Sequence, residues 1–488
     1  MDRRSFLKAS TLFSISGLIS SCATNPVTGE QDLILLSEDE ESELGRNAHK
    51  NIMKSYTEFN NPELLKYISE IGEKLAEVSH RNQLVYHFTL LDSPQVNAFA
   101  IPGGYVYLTR GMLAYLGSEA ELSGVIGHEL GHITARHGVK QYSKNQITSI
   151  LQTVFGILVG NRQLANLSQL ASVAILRGFG REAELEADRI GADYLAKLGY
   201  DPESLKNVIG VLKNQEEFDK ILAKEENREP YAYHGVFSTH PDNDKRLQEV
   251  IKAAQKNINP KKLSDNVEKY LNKISGIPFG PGEGQGSSIG SSFYHTQLDF
   301  TLKFPEEWKI ENLPSSVLAT SRDKETLIEL SMRDLNRKIT AEELIERLYG
   351  KKYENGININ INEYKGYAAT IEIDTSFGKG HKCRVGILYK NNKEAFQIIA
   401  TTKDENNYNK YLGLFDETIK SLRKLKLQEY KLGEPRRITL HKVKLGETFN
   451  SLAKNSVFNT HAENRLRVLN NMFPSGEPKI DSYIKLVT

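Results

Sequence analysis

Hydrophobic positions recur at helical spacing in several stretches of this chain and alternate at strand spacing in others. From Ser37 to about Ser79 the pattern predicts two helices broken near Asn61-Pro62, with Leu64, Leu65, Ile68, Ile71, Leu75 and Val78 on one buried face. Strand-like runs follow at Val85 to Leu91 and at Ala98 to Thr109. The second carries Pro102, Gly103 and Gly104, which suit an edge or bulged strand and not a central one. A further helix is predicted behind Ser118, which makes a capping box with Glu121. Leu122, Val125, Ile126 and Ile133 keep its spacing, and Gly138 offers a stop. Ile147 to Val159 and Leu164 to Leu176 form a weakly charged helical pair, too short to span a bilayer comfortably, which reads as a hairpin beside the core. Arg181 to Leu198 is the next helix, stopped by Gly199 and followed by Pro202.

The pattern changes from Ile274. Gly276 to Ser288 is rich in Gly, Ser and Pro and reads as a linker, extended here to residue 292. Strand alternation then dominates residues 293–430, at Leu298 to Phe304, Thr326 to Met332, Ala368 to Ile373, Arg384 to Tyr389 and Ala395 to Thr401. Helices are predicted at Ala341 to Leu348 and Tyr408 to Leu422, which makes this an α+β sandwich. Trp308 reads as core. The last stretch, 438–488, reads as a small β-α-α-β unit. The fold class is therefore α+β multidomain, with a mainly helical first domain over residues 23–275 that carries a small sheet with an exposed edge strand.

Composition bounds this picture without changing it. With 488 residues, 39% hydrophobic and 26% charged, the chain supports several globular domains. Its formal charge is +1, and setting aside Arg3, Arg4 and Lys8 against Asp2 leaves 60 basic and 61 acidic residues, so nothing in the balance argues for nucleic acid. Residues 1–22 do add something. A basic start, Arg3-Arg4-Ser5-Phe6-Leu7-Lys8, precedes a short apolar run ending in Ile19-Ser20-Ser21-Cys22, which resembles a bacterial lipoprotein signal, with a twin-arginine-like string. Cys22 is the residue such a signal would lipidate, giving an exported protein anchored to a membrane. Ala23 after it favours the outer membrane of a Gram-negative periplasm. Only Cys383 then remains as a thiol, so no intramolecular disulfide is expected.

The chemistry gathers at His128-Glu129-Leu130-Gly131-His132, an H-E-x-x-H pattern on the predicted helix. Imidazoles at this spacing share one helix face and can bind one Zn²⁺, and the intervening glutamate can reach the water on the metal. A hydrolytic site needs a third ligand and an open fourth position. His137 lies rotated away from His132 on a continued helix and reads as structural. Glu182, Glu184, Glu186 and Asp188 crowd the later helix, where Glu184 and Asp188 share a face. The Asn97-Ala98-Phe99-Ala100 stretch, at the sheet edge, could accept an extended peptide as an added strand, or could be a protected edge with no ligand.

Four motifs in order resemble the zinc metallopeptidase family that includes the HtpX heat-shock proteases and the CAAX prenyl proteases, a gluzincin group with a periplasmic lipoprotein branch. They are His128 to His132, Asn97 to Gly104, Phe179 to Asp188 and Thr239 to Arg246, so the resemblance spans about residues 24–255. It implies a zincin-type domain with His128, His132 and Glu184 on one zinc ion per chain. It also implies Glu129 as the general base on the zinc-bound water, with Asp188 supporting a ligand histidine from behind. His240 falls where the family can bring a histidine to the zinc as a latch or helper, and Arg246 on the family's following arginine. Gly180 stands where a serine is usual. The final unit, His441 to Ala453 with Val468 to Asn471, resembles a LysM-type glycan-binding repeat, departing from it at Asp481-Ser482.

Together these imply an exported, lipid-anchored zinc endopeptidase acting on misfolded or envelope proteins, with outer-membrane assembly proteins and peptidoglycan as further candidate partners. The competing expectation is an envelope chaperone that uses the same fold as a clamp, its proteolysis minor or latched by His240.

Overall fold

The computed structural model describes residues 22–144, 179–226, 228–230, 243–256, 265–313, 315–350, 352–458 and 460–488. The expected signal at residues 1–21, the helical pair at 147–176 and His240 lie outside the described residues. The chain forms two compact units, one made of residues up to Ile277 with Arg437–Thr488, the other of Pro278–Arg436.

The first unit begins with a short hairpin, β1 (Cys22–Thr24) and β2 (Gln31–Leu33), followed by α1 (Glu38–Ser55) and α2 (Pro62–Glu77). Ser37 caps α1 in a complete capping box with Glu40. Asn61 caps α2 with Pro62 in its first turn. The apolar face of α2 buries Leu64, Ile68, Ile71 and Leu75, the stripe its periodicity predicts. A three-stranded sheet follows, in the order β3 (His87–Leu91), β5 (Tyr105–Thr109), β4 (Ala98–Ile101). The predicted single run from Ala98 to Thr109 is instead a hairpin, because Gly103 and Gly104 take φ of 82° and 89°, where a side chain would be strained, and turn the chain back. β4 is the outer strand.

A short helix α3 (Arg110–Tyr115) leads to α4 (Glu119–Thr134), every residue of which is buried. Such a helix is the centre of its domain and not a surface element. Ser118 accepts from the Glu121 backbone N–H, whereas the Glu121 carboxylate turns to the Gly117 N–H, so only half of the predicted capping box forms. α4 ends at Thr134, before the predicted stop at Gly138, because Arg136 takes a left-handed φ of 55°. Arg136 and Arg81 both donate to the buried Glu41 of α1, fixing that turn against the first helix.

α5 (Arg181–Leu198) crosses α4 where both are small. A Cβ on Gly131 would sit 2.9 Å from the Ala187 carbonyl oxygen, and one on Gly127 would sit 3.4 Å from the Gly191 Cα. α6 (Ser204–Glu225), α7 (Asn243–Gln255) and α8 (Val267–Ile274) complete the helical part, and α6 also packs on α4.

The C-terminal residues form a β-α-α-β unit: β16 (Arg436–Lys442), α11 (Phe449–Ala453), α12 (Ala462–Leu469) and β17 (Tyr483–Val487), with β16 and β17 antiparallel. This unit is not free-standing. Lys485 is buried and donates to the carbonyls of Ala114 and Leu116 at 2.9 and 2.8 Å, closing the end of α3. Asn214 of α6 donates to Asn471, and Phe473 packs edge-on to Phe218.

The second unit is a seven-stranded antiparallel sheet in the order β9 (Lys309–Asn312), β10 (Ser316–Thr320), β11 (Thr326–Asp334), β15 (Glu394–Thr402), β14 (Gly378–Tyr389), β13 (Tyr364–Thr375), β12 (Glu354–Ile361). α10 (Tyr408–Lys420) covers one face through Tyr408, Phe415 and Ile419, and α9 (Ala341–Tyr349) the other through Ala341 and Ile345. Trp308 packs against the first core. Part of the predicted linker is structured, since β6 (Ser287–Ile289) pairs with β7 (Ser292–His295), which pairs with β8 (Phe300–Lys303).

Both ends of α4 are pinned electrostatically. Glu119 at its start is nearly buried and accepts from the Tyr67 and Tyr200 hydroxyls, Asn266 and Lys269, all within 2.7 Å. Burial alone would raise its pKa, and these donors outweigh that, lowering it from 4.5 to about 2. A folded-state value below the unfolded one stabilises above pH 4.5, and the gain is lost as pH falls towards 2. Glu119→Gln is expected to cost about 2 kcal/mol at neutral pH and to flatten the acid limb of stability between pH 4.5 and 2, read by denaturant unfolding at several pH values. An acid limb as steep as that of the unchanged chain would show that the burden lies elsewhere.

Candidate metal and catalytic site

The close crossing of α4 and α5 carries the site. With glycine and alanine at the contact, the helix axes come near enough for Glu184 and Asp188 of α5 to meet His128 and His132 of α4. His128 Nε2 and His132 Nε2 lie 3.0 Å apart, and Glu184 reaches them at 3.5 and 3.8 Å. All three donors fall within 4.8 Å of one another, the one group of this kind among the described residues. Donors about 2.1 Å from a tetrahedral zinc ion are about 3.4 Å apart, so the set fits Zn²⁺ in both chemistry and spacing. Buried Glu184 Oε2 and Glu129 Oε1 have no hydrogen-bond partner, and Glu184 Oε2 lies 3.5 Å from His128 Nε2.

Each histidine also presents its other ring nitrogen to a partner. His128 Nδ1 is 2.8 Å from Asp188 Oδ1, which leaves Nε2 as the lone-pair nitrogen facing the site. His128, Glu129, His132 and Asp188 are all at most 4% exposed. Burial would lower the pKa of His128, yet without a cation in the site Asp188 and Glu184 outweigh it and raise it, so the pocket favours a positive charge at this place, carried by a proton or by a metal ion on Nε2. Burial and the neighbouring His128 hold His132 neutral, the form a ligand needs. Glu129 is lifted to about 7, chiefly by burial, with His128 opposing and Glu184 reinforcing the shift. That is the range in which a carboxylate exchanges protons efficiently.

Of the other predicted residues, Asn97 leads into the outer strand β4 that holds Ala98, Phe99 and Ala100. The Ala100 backbone N–H points to the Glu129 carboxylate, so this edge runs beside the proposed base. Phe99 stacks on Tyr107, away from the buried Ala98 and Ala100. Arg246 lies on α7, and Cys22 begins β1. Gly180 caps α5 without a side-chain hydrogen bond.

Sequence reasoning set His137 aside as a ligand, and it stays outside the donor group, but the structure turns it towards His132 and not away from it. Because Arg136 ends the helix in the left-handed region, the chain folds back. His137 Nδ1 then comes to 2.8 Å from His132 Nδ1, with His137 Nε2 3.1 Å from Glu186 Oε2. Phe179 stacks on His132 at 4.3 Å. Glu186, two residues past Glu184, was visible only as one more charge on the helix.

Residues 62–254 match Peptidase family M48. The Beta-barrel assembly-enhancing protease of Escherichia coli (strain K12) is 30% identical over 266 residues, covering 52% of this chain and 51% of its own. The Mitochondrial metalloendopeptidase OMA1 of Arabidopsis thaliana is 34% identical over 179 residues, 36% of this chain and 33% of its own. The chain thus spans about half the length of the first of these relatives and a third of the second. Among solved structures, the cyanobacterial PsbP (CyanoP) from Synechocystis sp. PCC 6803 overlaps 30% of this chain at 12% identity and a TM-score of 0.24, too low to carry a conclusion. The matched segment contains His128, Glu129, His132 and Glu184. Among the described residues, no helix is long and apolar enough to cross a membrane.

Proposed function

We propose that this protein is a zinc-dependent endopeptidase of the cell envelope, exported and held to a membrane through Cys22. The observation that carries the catalytic part is the convergence of His128, His132 and Glu184 beside the buried, unpartnered oxygen of Glu129. Zn²⁺ held by these three residues would polarise the scissile carbonyl and acidify the attacking water. Glu129 takes the proton of that water and returns it to the leaving amine. Asp188 keeps the His128 proton on Nδ1 and so keeps Nε2 free to bind. An extended substrate segment adds along β4 at Ala98 to Ala100, which presents its backbone beside Glu129.

Unfolded or incompletely assembled envelope proteins are the proposed substrates, since an added-strand mode of binding reads backbone and needs an extended chain. The name of the Escherichia coli relative, a beta-barrel assembly-enhancing protease, supports the same class. The test is casein cleavage by the purified chain. Cleavage that stops with a zinc chelator and returns on adding Zn²⁺ supports the peptidase. Uncut casein at full zinc occupancy would leave the clamp as the better reading.

A further inference from the structure

We propose that His137 and Glu186 are positioning residues for His132, a relay that mirrors the Asp188–His128 pair and fixes the second histidine of the metal site. This rests on the zinc reading of the site. The hydrogen-bond geometry leaves one consistent arrangement of protons. If His132 Nε2 carries the lone pair that faces the cation, its proton sits on Nδ1 and donates across 2.8 Å to His137 Nδ1. His137 Nδ1 is then an acceptor, so its proton sits on Nε2 and donates across 3.1 Å to Glu186 Oε2. The chain Glu186–His137–His132 ends on a carboxylate, as the shorter Asp188–His128 pair does. It differs in passing through a residue outside both helices: His137 follows the left-handed turn at Arg136, while Glu186, like Asp188, sits on α5. The α4–α5 crossing therefore sets two ligands directly and a third through this relay. Phe179, stacked on His132, holds the plane of that ring against rotation.

His137 is buried, so a structural role alone would also make its loss costly, and the test must separate the two. The measurement is the zinc dissociation constant by chelator competition, with the visible spectrum of the Co²⁺-substituted protein and the unfolding midpoint of the metal-free protein. His137→Leu is expected to weaken zinc binding roughly 10- to 100-fold and to change the Co²⁺ spectrum. His137→Gln offers one acceptor and one donor in place of the ring and is expected to recover much of the loss. Glu186 is 21% exposed, so Glu186→Ala tests the far end of the relay with little risk to folding and is expected to weaken zinc in the same direction. Zinc affinity and a Co²⁺ spectrum unchanged in both His137→Leu and Glu186→Ala would overturn the relay. So would an affinity loss in His137→Leu that His137→Gln does not relieve and Glu186→Ala does not share. If the unchanged chain bound no zinc, the reading of the site itself would fail, a result distinct from either of these.

Discussion

Replacing Glu129 by glutamine is expected to leave zinc content and thermal unfolding close to those of the unchanged chain while cutting turnover roughly 100- to 10,000-fold. The amide matches the carboxylate in shape, and Glu129 Oε1 accepts no hydrogen bond that the substitution would break. The residue is 2% exposed on a helix buried along its whole length, and a neutral amide is no harder to bury than the carboxylate, so folding is not expected to suffer. What is lost is the group that takes a proton from the attacking water. A carboxylate at this place can take that proton and give it back, whereas glutamine can do neither. A Glu129→Gln protein that cleaves casein at the rate of the unchanged chain, at equal zinc content, would remove Glu129 from the mechanism.

The second large effect comes from a residue with no chemistry. Gly131→Val is expected to lower stability by about 1 to 3 kcal/mol and to cut peptidase turnover by about 100-fold, with loss of zinc affinity. The new Cβ would stand 2.9 Å from the Ala187 carbonyl oxygen and 3.0 Å from its Cα, both backbone atoms that cannot swing aside. The relief is separation of α4 from α5, and Glu184 and Asp188 move with α5. Gly124→Ala is the comparison: its Cβ would meet only Leu205 and Leu195 side chains, at 3.4 Å and beyond, and should leave zinc binding intact. Full zinc affinity in Gly131→Val would mean that the helix crossing does not set the ligand geometry.

These two substitutions mark what could and could not be read from the sequence. The H-E-x-x-H spacing and the face shared by Glu184 and Asp188 are local properties of helices, so periodicity put each pair on one face, while the choice of Glu184 among the acidic residues of its helix came from the family resemblance. The glycines were legible as residues but not as a contact, since which surfaces meet depends on the tertiary arrangement. His137 was misplaced for a related reason. A continued helix points it away from His132, and the left-handed turn at Arg136, a residue with no special preference for that conformation, reverses its direction. The hairpin at Gly103 and Gly104 was half legible: the glycines marked an interruption, and pairing decided that it was a turn. The last β-α-α-β unit was recognised by pattern, but its attachment through Lys485 was not. A lysine on a strand ordinarily reads as solvent-facing, and here two carbonyls at the end of α3, 371 and 369 residues earlier in the chain, receive it.

The central claim is that His128, His132 and Glu184 together hold zinc, and metal content tests it most directly. Purified chain dialysed against a weak chelator is expected to retain about one Zn²⁺, and Glu184→Ala, treated alike, to retain about a tenth of that or less. Equal zinc in the two proteins would contradict the assignment of Glu184 and with it the site described here.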